Sequence, residues 1–165
     1  MRLIIIFISL AISSLTWSQT MKNLSHKDKI KYFFDNLTKD KMELVSEFYH
    51  ENVDFIDPVG KIKGSEKIKD YYLDMYKNVK SIKFDFSDFM ESGNNVVGIW
   101  KMTLVTEKLN GGEPIIVDGN SVIKFDENGK AIYHRDYFDM GAFIYENVPV
   151  VGFIVKKIKN RMKVE

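Results

Sequence analysis

The sequence predicts an α+β domain in which three short helices come first and long antiparallel strands follow. Three observations predict it. Apolar residues recur every three or four positions as far as residue 76 and at alternate positions from residue 82 onward. The alternating runs are separated by turn sequences at residues 91–95, 110–112 and 126–129. The chain has 165 residues, 45% hydrophobic and 13% aromatic, enough for one domain with a sizeable core. Three helices can cover only one face of such a sheet. A strongly curved sheet wrapped around them would solve this and leave a cavity at its open end. The other face would meet solvent or a second subunit.

The elements follow in order. Ser25 with Asp28 three positions on is a capping-box pattern, and Ile30, Phe33, Phe34 and Leu37 then repeat at helical spacing. Asp40 with Glu43 reads as the start of a second helix that turns Leu44, Val45, Phe48 and Tyr49 inward. Residues 53–57 form a brief strand, stopped by Pro58 and Gly60. Gly64-Ser65 opens a third helix with Ile68, Tyr71, Tyr72, Met75 and Tyr76 along one side. Ile82, Phe84 and Phe86 begin the alternating part, and residues 96–107, 115–125 and 130–139 supply three further strands.

Both ends differ from this body. Residues 1–18 have a basic start at Arg2, an apolar stretch too short to span a bilayer, and small residues before Gln19, the pattern of a cleaved signal peptide. The chain is therefore expected to be exported, to the periplasm or beyond. Loss of Arg2 leaves 23 basic and 23 acidic side chains, a balance with no electrostatic footprint for nucleic acid. Residues 142–165 form an apolar-then-basic tail with a helix starting near Val151 and five Lys/Arg within eight residues. Two readings fit the tail. It packs its apolar residues on the body, or it lies in a membrane interface or a dimer contact, which would be the chain's one route to a membrane.

The chemistry concentrates in HRDYFD, residues 134–139. Alternation puts His134, Asp136 and Phe138 on one face of a strand and Arg135, Tyr137 and Asp139 on the other. If the first face looks into the cavity, Asp136 is a candidate proton carrier and His134 its orienting neighbour. Asp57, in FIDPVG, reads equally as a turn carboxylate or as a second acid. The chain has no cysteine, which excludes a thiolate nucleophile and thiolate metal sites. Its three histidines lack metal-ligand spacing, and no nucleotide-binding or nucleophile-elbow motif occurs. No metal and no cofactor are expected.

FYHENVDFIDPVG, followed by KGSEKI and closed by FDENGKAIYHRDYFD, resembles the nuclear transport factor 2-like (cystatin-like) superfamily over residues 27–141. The SnoaL-like and limonene-epoxide-hydrolase-like branch, related to ketosteroid isomerase, is the most similar. The resemblance implies the cone of helices and sheet with a deep pocket, and homodimerisation through the sheet. It places Asp57 at the proton-shuttling Asp of ketosteroid isomerase, but Phe33 and Ser121 where that enzyme's oxyanion-hole donors stand. It places Asp136 at the water-activating Asp of limonene epoxide hydrolase, with Lys101 and Thr103 near that triad's Arg and second Asp. The pocket Tyr and Asn fall at Phe55 and Asp57. The resemblance thus implies an apolar, acid-bearing pocket for a small apolar molecule. Asp136, Asp57 and His134 would be catalytic, and Phe33, Phe55, Lys101, Thr103 and Ser121 would contact substrate. Cofactor-free isomerisation, cyclisation or hydrolysis fits, as do a binding protein without turnover and an envelope interaction module.

Overall fold

The computed structural model describes residues 21–162. The signal-peptide expectation lies outside the described residues. Helix α1 (His26–Asn36) starts at Ser25, whose side chain accepts from the backbone N–H of Asp28. Helix α2 (Glu43–Phe48) starts without a side-chain cap, so Asp40 does not play the part its spacing suggested. Strand β1 (Tyr49–Ile56) opens at Tyr49, four residues before the expected strand. A three-residue strand β2 (Lys61–Lys63) then pairs back on it. Helix α3 (Ser65–Tyr76) precedes a four-strand meander: β3 (Val79–Ser92), β4 (Asn95–Thr106), β5 (Ile115–Phe125) and β6 (Ala131–Phe138). A short helix α4 (Met140–Phe143), a 3-10 turn (Tyr145–Asn147) and helix α5 (Val151–Met162) close the described chain.

The α+β class holds, but the cone-shaped, wholly antiparallel sheet does not. The strands form one open six-stranded sheet, in the order β2-β1-β6-β5-β4-β3, that neither closes nor curls strongly. It is mixed, because β1 pairs in parallel with β6. The long crossover through α3 and the meander permits that pairing. Both edges carry charge, which discourages further pairing. On β2, Lys61 and Lys63 reach Asp54; on β3, Lys83 pairs with Asp85 and Lys80 with Glu107.

The inner face of the sheet packs on two apolar clusters. One joins α1, α2, α3 and β1 around Phe33, Phe48, Tyr49 and Ile68. The other lies on the meander around Trp100, Met102, Leu104, Ile115 and Val117. Phe86 packs against both. Trp100 lies flat where Gly119 stands opposite it on β5, and a Cβ at 119 would overlap the indole. Gly119→Ala should therefore displace Trp100 and destabilise the fold by about 1–3 kcal/mol. Urea unfolding of the variant, followed by the tryptophan signal, checks this.

Candidate functional site

The site begins with a histidine that has no exposed surface. Alternation on β6 turns His134 and Asp136 inward, and the parallel register sets Phe55 of β1 directly beside His134. The ring of Phe55 meets the imidazole edge-on at 5.0 Å between centroids. Nδ1 of His134 lies 2.6 Å from the Tyr49 hydroxyl, and Nε2 lies 2.8 Å from Oδ1 of Asp136. Ser121, buried on β5, donates to the same Oδ1 at 2.5 Å. Behind it, Nε1–H of Trp100 donates to the Ser121 oxygen at 2.9 Å.

Donor inventory gives these bonds a direction. An indole N–H only donates, so the serine proton is free for Asp136. A carboxylate only accepts, so Nε2 of His134 carries the proton. Nδ1 is then the acceptor for the Tyr49 O–H, and the Tyr72 hydroxyl, 3.4 Å away, completes the series by donating to Tyr49. Six side chains from α3, β1, β4, β5 and β6 thus form one polar string ending on a single carboxylate oxygen. Among the described residues, Oδ2 of Asp136 receives no protein donor.

Asp136 borders a cavity of about 70 Å³. Its walls include Phe34, Phe55, Tyr71, Tyr72, Tyr76, Trp100, Phe138 and Phe143, with Asp57 as the second carboxylate. The volume holds a few waters and is well below the ~300 Å³ typical of pockets for drug-sized ligands. Asp57 realises both sequence readings. Its Oδ1 accepts from the backbone N–H groups of Val59 and Gly60, each at 2.8 Å, and so fixes the turn. Its Oδ2 accepts from the Tyr71 hydroxyl at 2.7 Å on the cavity wall.

The remaining expected contacts divide. Phe55 lines the cavity. Phe33 does not: it is fully buried behind Tyr49, edge-on to it at 5.5 Å. Ser121 and His134 stand behind Asp136 rather than on the cavity wall. Lys101 and Thr103 lie away from this cavity. On β4, Trp100 and Met102 face inward, so the pleat turns 101 and 103 to the opposite face. There Lys101 is exposed and pairs with Asp118 at 2.5 Å. The sequence reading missed Tyr49, Tyr71, Tyr72 and Trp100 as members of the site. The alternation of Val96, Trp100, Met102 and Leu104 signalled Trp100, whereas Tyr49 looked like the last residue of a helix.

Burial raises the pKa of the site's tyrosines. Tyr49 and Tyr72 lie well above the ordinary phenol value, and the Asp136 charge raises both further. Tyr71 is raised by burial and by its bond to Asp57, and Tyr76 is pushed by burial up to about 12. An open six-stranded sheet with an aromatic, carboxylate-bearing cavity between it and its helices is an architecture of the α+β class.

The comparisons specify the family. The SnoaL-like domain model matches residues 30–134, and the chain belongs to that family within the nuclear transport factor 2-like superfamily. No curated protein sequence matches significantly. Among solved structures, TerC co-crystallised with polyporic acid is similar with a TM-score of 0.62 and 19% identity, covering 72% of this chain and 94% of TerC. A SnoaL-like polyketide cyclase homologue from Shewanella denitrificans OS-217 gives 0.63 and 19%, over 72% and 93% of the two chains. A LEH-like epoxide hydrolase of M. tuberculosis gives 0.58 and 17%, over 68% and 80%. At these identities the likeness is one of fold.

The raised tyrosine pKa values set the alkaline behaviour. Above the unfolded-state value of 10.0, the folded chain still holds phenol protons that the unfolded chain has released. The tyrosine contribution to stability should therefore be constant below about pH 9 and be lost as pH rises beyond 10. Melting temperature against pH checks this, and Tyr76→Phe should flatten part of the fall. Tyr49→Phe leaves Nδ1 of His134 without its donor and should cost about 1–3 kcal/mol at neutral pH.

Proposed function

We propose that the chain binds a small apolar molecule in the aromatic cavity and transforms it without a cofactor, with Asp136 as general base. One observation carries this reading: on the cavity wall, Oδ1 of Asp136 is fixed by two buried donors while Oδ2 receives no protein donor among the described residues. In that arrangement Oδ2 takes a proton from a carbon acid or from an attacking water, and the electron pair stays with the substrate. His134 acts through Asp136 by holding its orientation, and the Tyr71–Asp57 pair on the same cavity wall returns the proton. Isomerisation, cyclisation and hydrolysis all use this step. The names of the similar structures, a polyketide cyclase homologue and an epoxide hydrolase, accord with such chemistry.

A specific observation favours a second reading, binding without turnover. Lys101 and Thr103 are absent from the cavity, so among the described residues no Lys or Arg lines it to stabilise a developing oxyanion. As part of the proposal, the leader of residues 1–18 exports the chain. A second copy covers the outer sheet face, where Ile99, Ile116 and Tyr137 are exposed.

Native mass spectrometry of the purified chain identifies a retained ligand, which is then used as substrate. Asp136→Asn should lower turnover by about 10²-fold or more with ligand retention intact. Ligand retention with no turnover in either protein would replace the enzyme by the carrier. Phe143→Ala removes one aromatic wall and should admit larger ligands, read as a shift in the mass of the retained species.

A further inference from the structure

Helix α5 is attached to the body along one narrow side. Gly152 is buried because the helix rests on the backbone of Glu146, where a Cβ would overlap the carbonyl. Lys159, two turns on and on the same side, bridges Asp139 at 3.2 Å and Glu146. The principal neighbour of α5 is the 3-10 turn Tyr145–Asn147.

At about 100° per residue, Val151, Ile154, Val155, Ile158 and Met162 fall in one stripe about 100° wide. The stripe lies roughly a quarter turn from the Gly152–Lys159 side, and the helix therefore presents it outward. Ile154 is 52% exposed, Ile158 53% and Met162 76%. Lys157 and Arg161 run along one flank, and Val151–Met162 contains four basic residues and no acidic one. A chain with 24 basic and 23 acidic side chains in all thus sets Lys157 and Arg161 beside an exposed apolar stripe.

Charge complementarity selects the occupant. A second copy laid stripe to stripe would bring Lys157 and Arg161 of each helix together, with no acidic residue on either helix to pair them. A bilayer with anionic headgroups suits both features, with the stripe at the acyl boundary and the Lys and Arg side chains among the phosphates. No helix among the described residues is long and apolar enough to cross a membrane, so the contact is interfacial. We propose that α5 is an interfacial helix that docks the protein on an anionic phospholipid bilayer.

The chain from Gln19 to Glu165, freed of the apolar leader, is mixed with phosphatidylglycerol–phosphatidylethanolamine vesicles and, separately, with phosphatidylcholine vesicles. Sedimentation with the anionic vesicles should be at least about tenfold stronger at low salt and should fall as salt is raised. Trp100 is buried, so in an Ile158→Trp variant a blue shift on anionic vesicles reports insertion of the stripe. The double variants Lys157→Glu/Arg161→Glu and Ile154→Ser/Ile158→Ser should each lose sedimentation with unchanged melting temperature, since these side chains are exposed. Failure to sediment with anionic vesicles overturns the proposal, and so does equal partition into both kinds. A lipid-free dimer that Ile154→Ser/Ile158→Ser dissociates also overturns it, by assigning the stripe to a second copy.

Discussion

The imidazole of His134 is the polar group on which the inner structure depends. It is fully buried among Phe34, Tyr49 and Phe55 of the first apolar cluster, and a buried ring with two nitrogens requires two partners. Tyr49 supplies one from the first residue of β1, and Asp136 supplies the other from the same strand as the histidine. Ser121 and Trp100 extend the string to β5 and β4, and Tyr72 extends it to α3. A one-residue slip of any of these strands would turn its member to the opposite face and leave buried donors and acceptors unpaired. The polar string therefore specifies the register of a sheet whose apolar residues alone would tolerate some exchange.

The same string prepares the chemistry. Each bond from Tyr72 through Tyr49 and His134 points toward Asp136, and the Trp100–Ser121 branch arrives from the other side. The carboxylate is held without any contribution from a ligand, so no reorganisation is needed when one enters. What the cavity lacks is equally physical. Its walls are rings and methionines, and its polar groups are acids and phenols, so it suits proton removal better than stabilisation of a strong negative charge.

Much of this was legible in the sequence, and the exceptions have identifiable causes. Period-two alternation placed His134 and Asp136 together, and the turn sequences bounded the meander. Lys101 and Thr103 were expected in the pocket because a family resemblance counts positions along a strand, whereas the pleat decides which way they face. Trp100, Met102 and Leu104 held that information on the same strand. Tyr49 was read as helical because its spacing from Val45 is that of a helix, but α2 stops one residue earlier and tertiary pairing takes the tyrosine into β1. Lys61–Lys63 is too short to show alternation at all. The parallel β1–β6 pairing left no local signal, since residues some 80 positions apart meet only through the crossover. The open sheet follows from the charged edges on β2 and β3, which a cone would have had to bury or pair.

The segment after β6 links the cavity to the outside of the molecule. Phe143, a cavity wall, lies between Asp139 and Glu146, the two acids that hold Lys159 of α5. Phe143 packs edge-on against Phe138 at 5.5 Å, and Phe138 approaches Trp100 at 6.2 Å. An unbroken run of rings thus leads from the base of α5 to the indole that supports Ser121. These two ion pairs are exposed or half-exposed, and each is weak by itself. Phe138 and Phe143 border the cavity without taking part in the buried polar string. A helix that rests on a bilayer beside that wall would bring the cavity close to a surface where apolar molecules are concentrated, while the buried string keeps the carboxylate fixed.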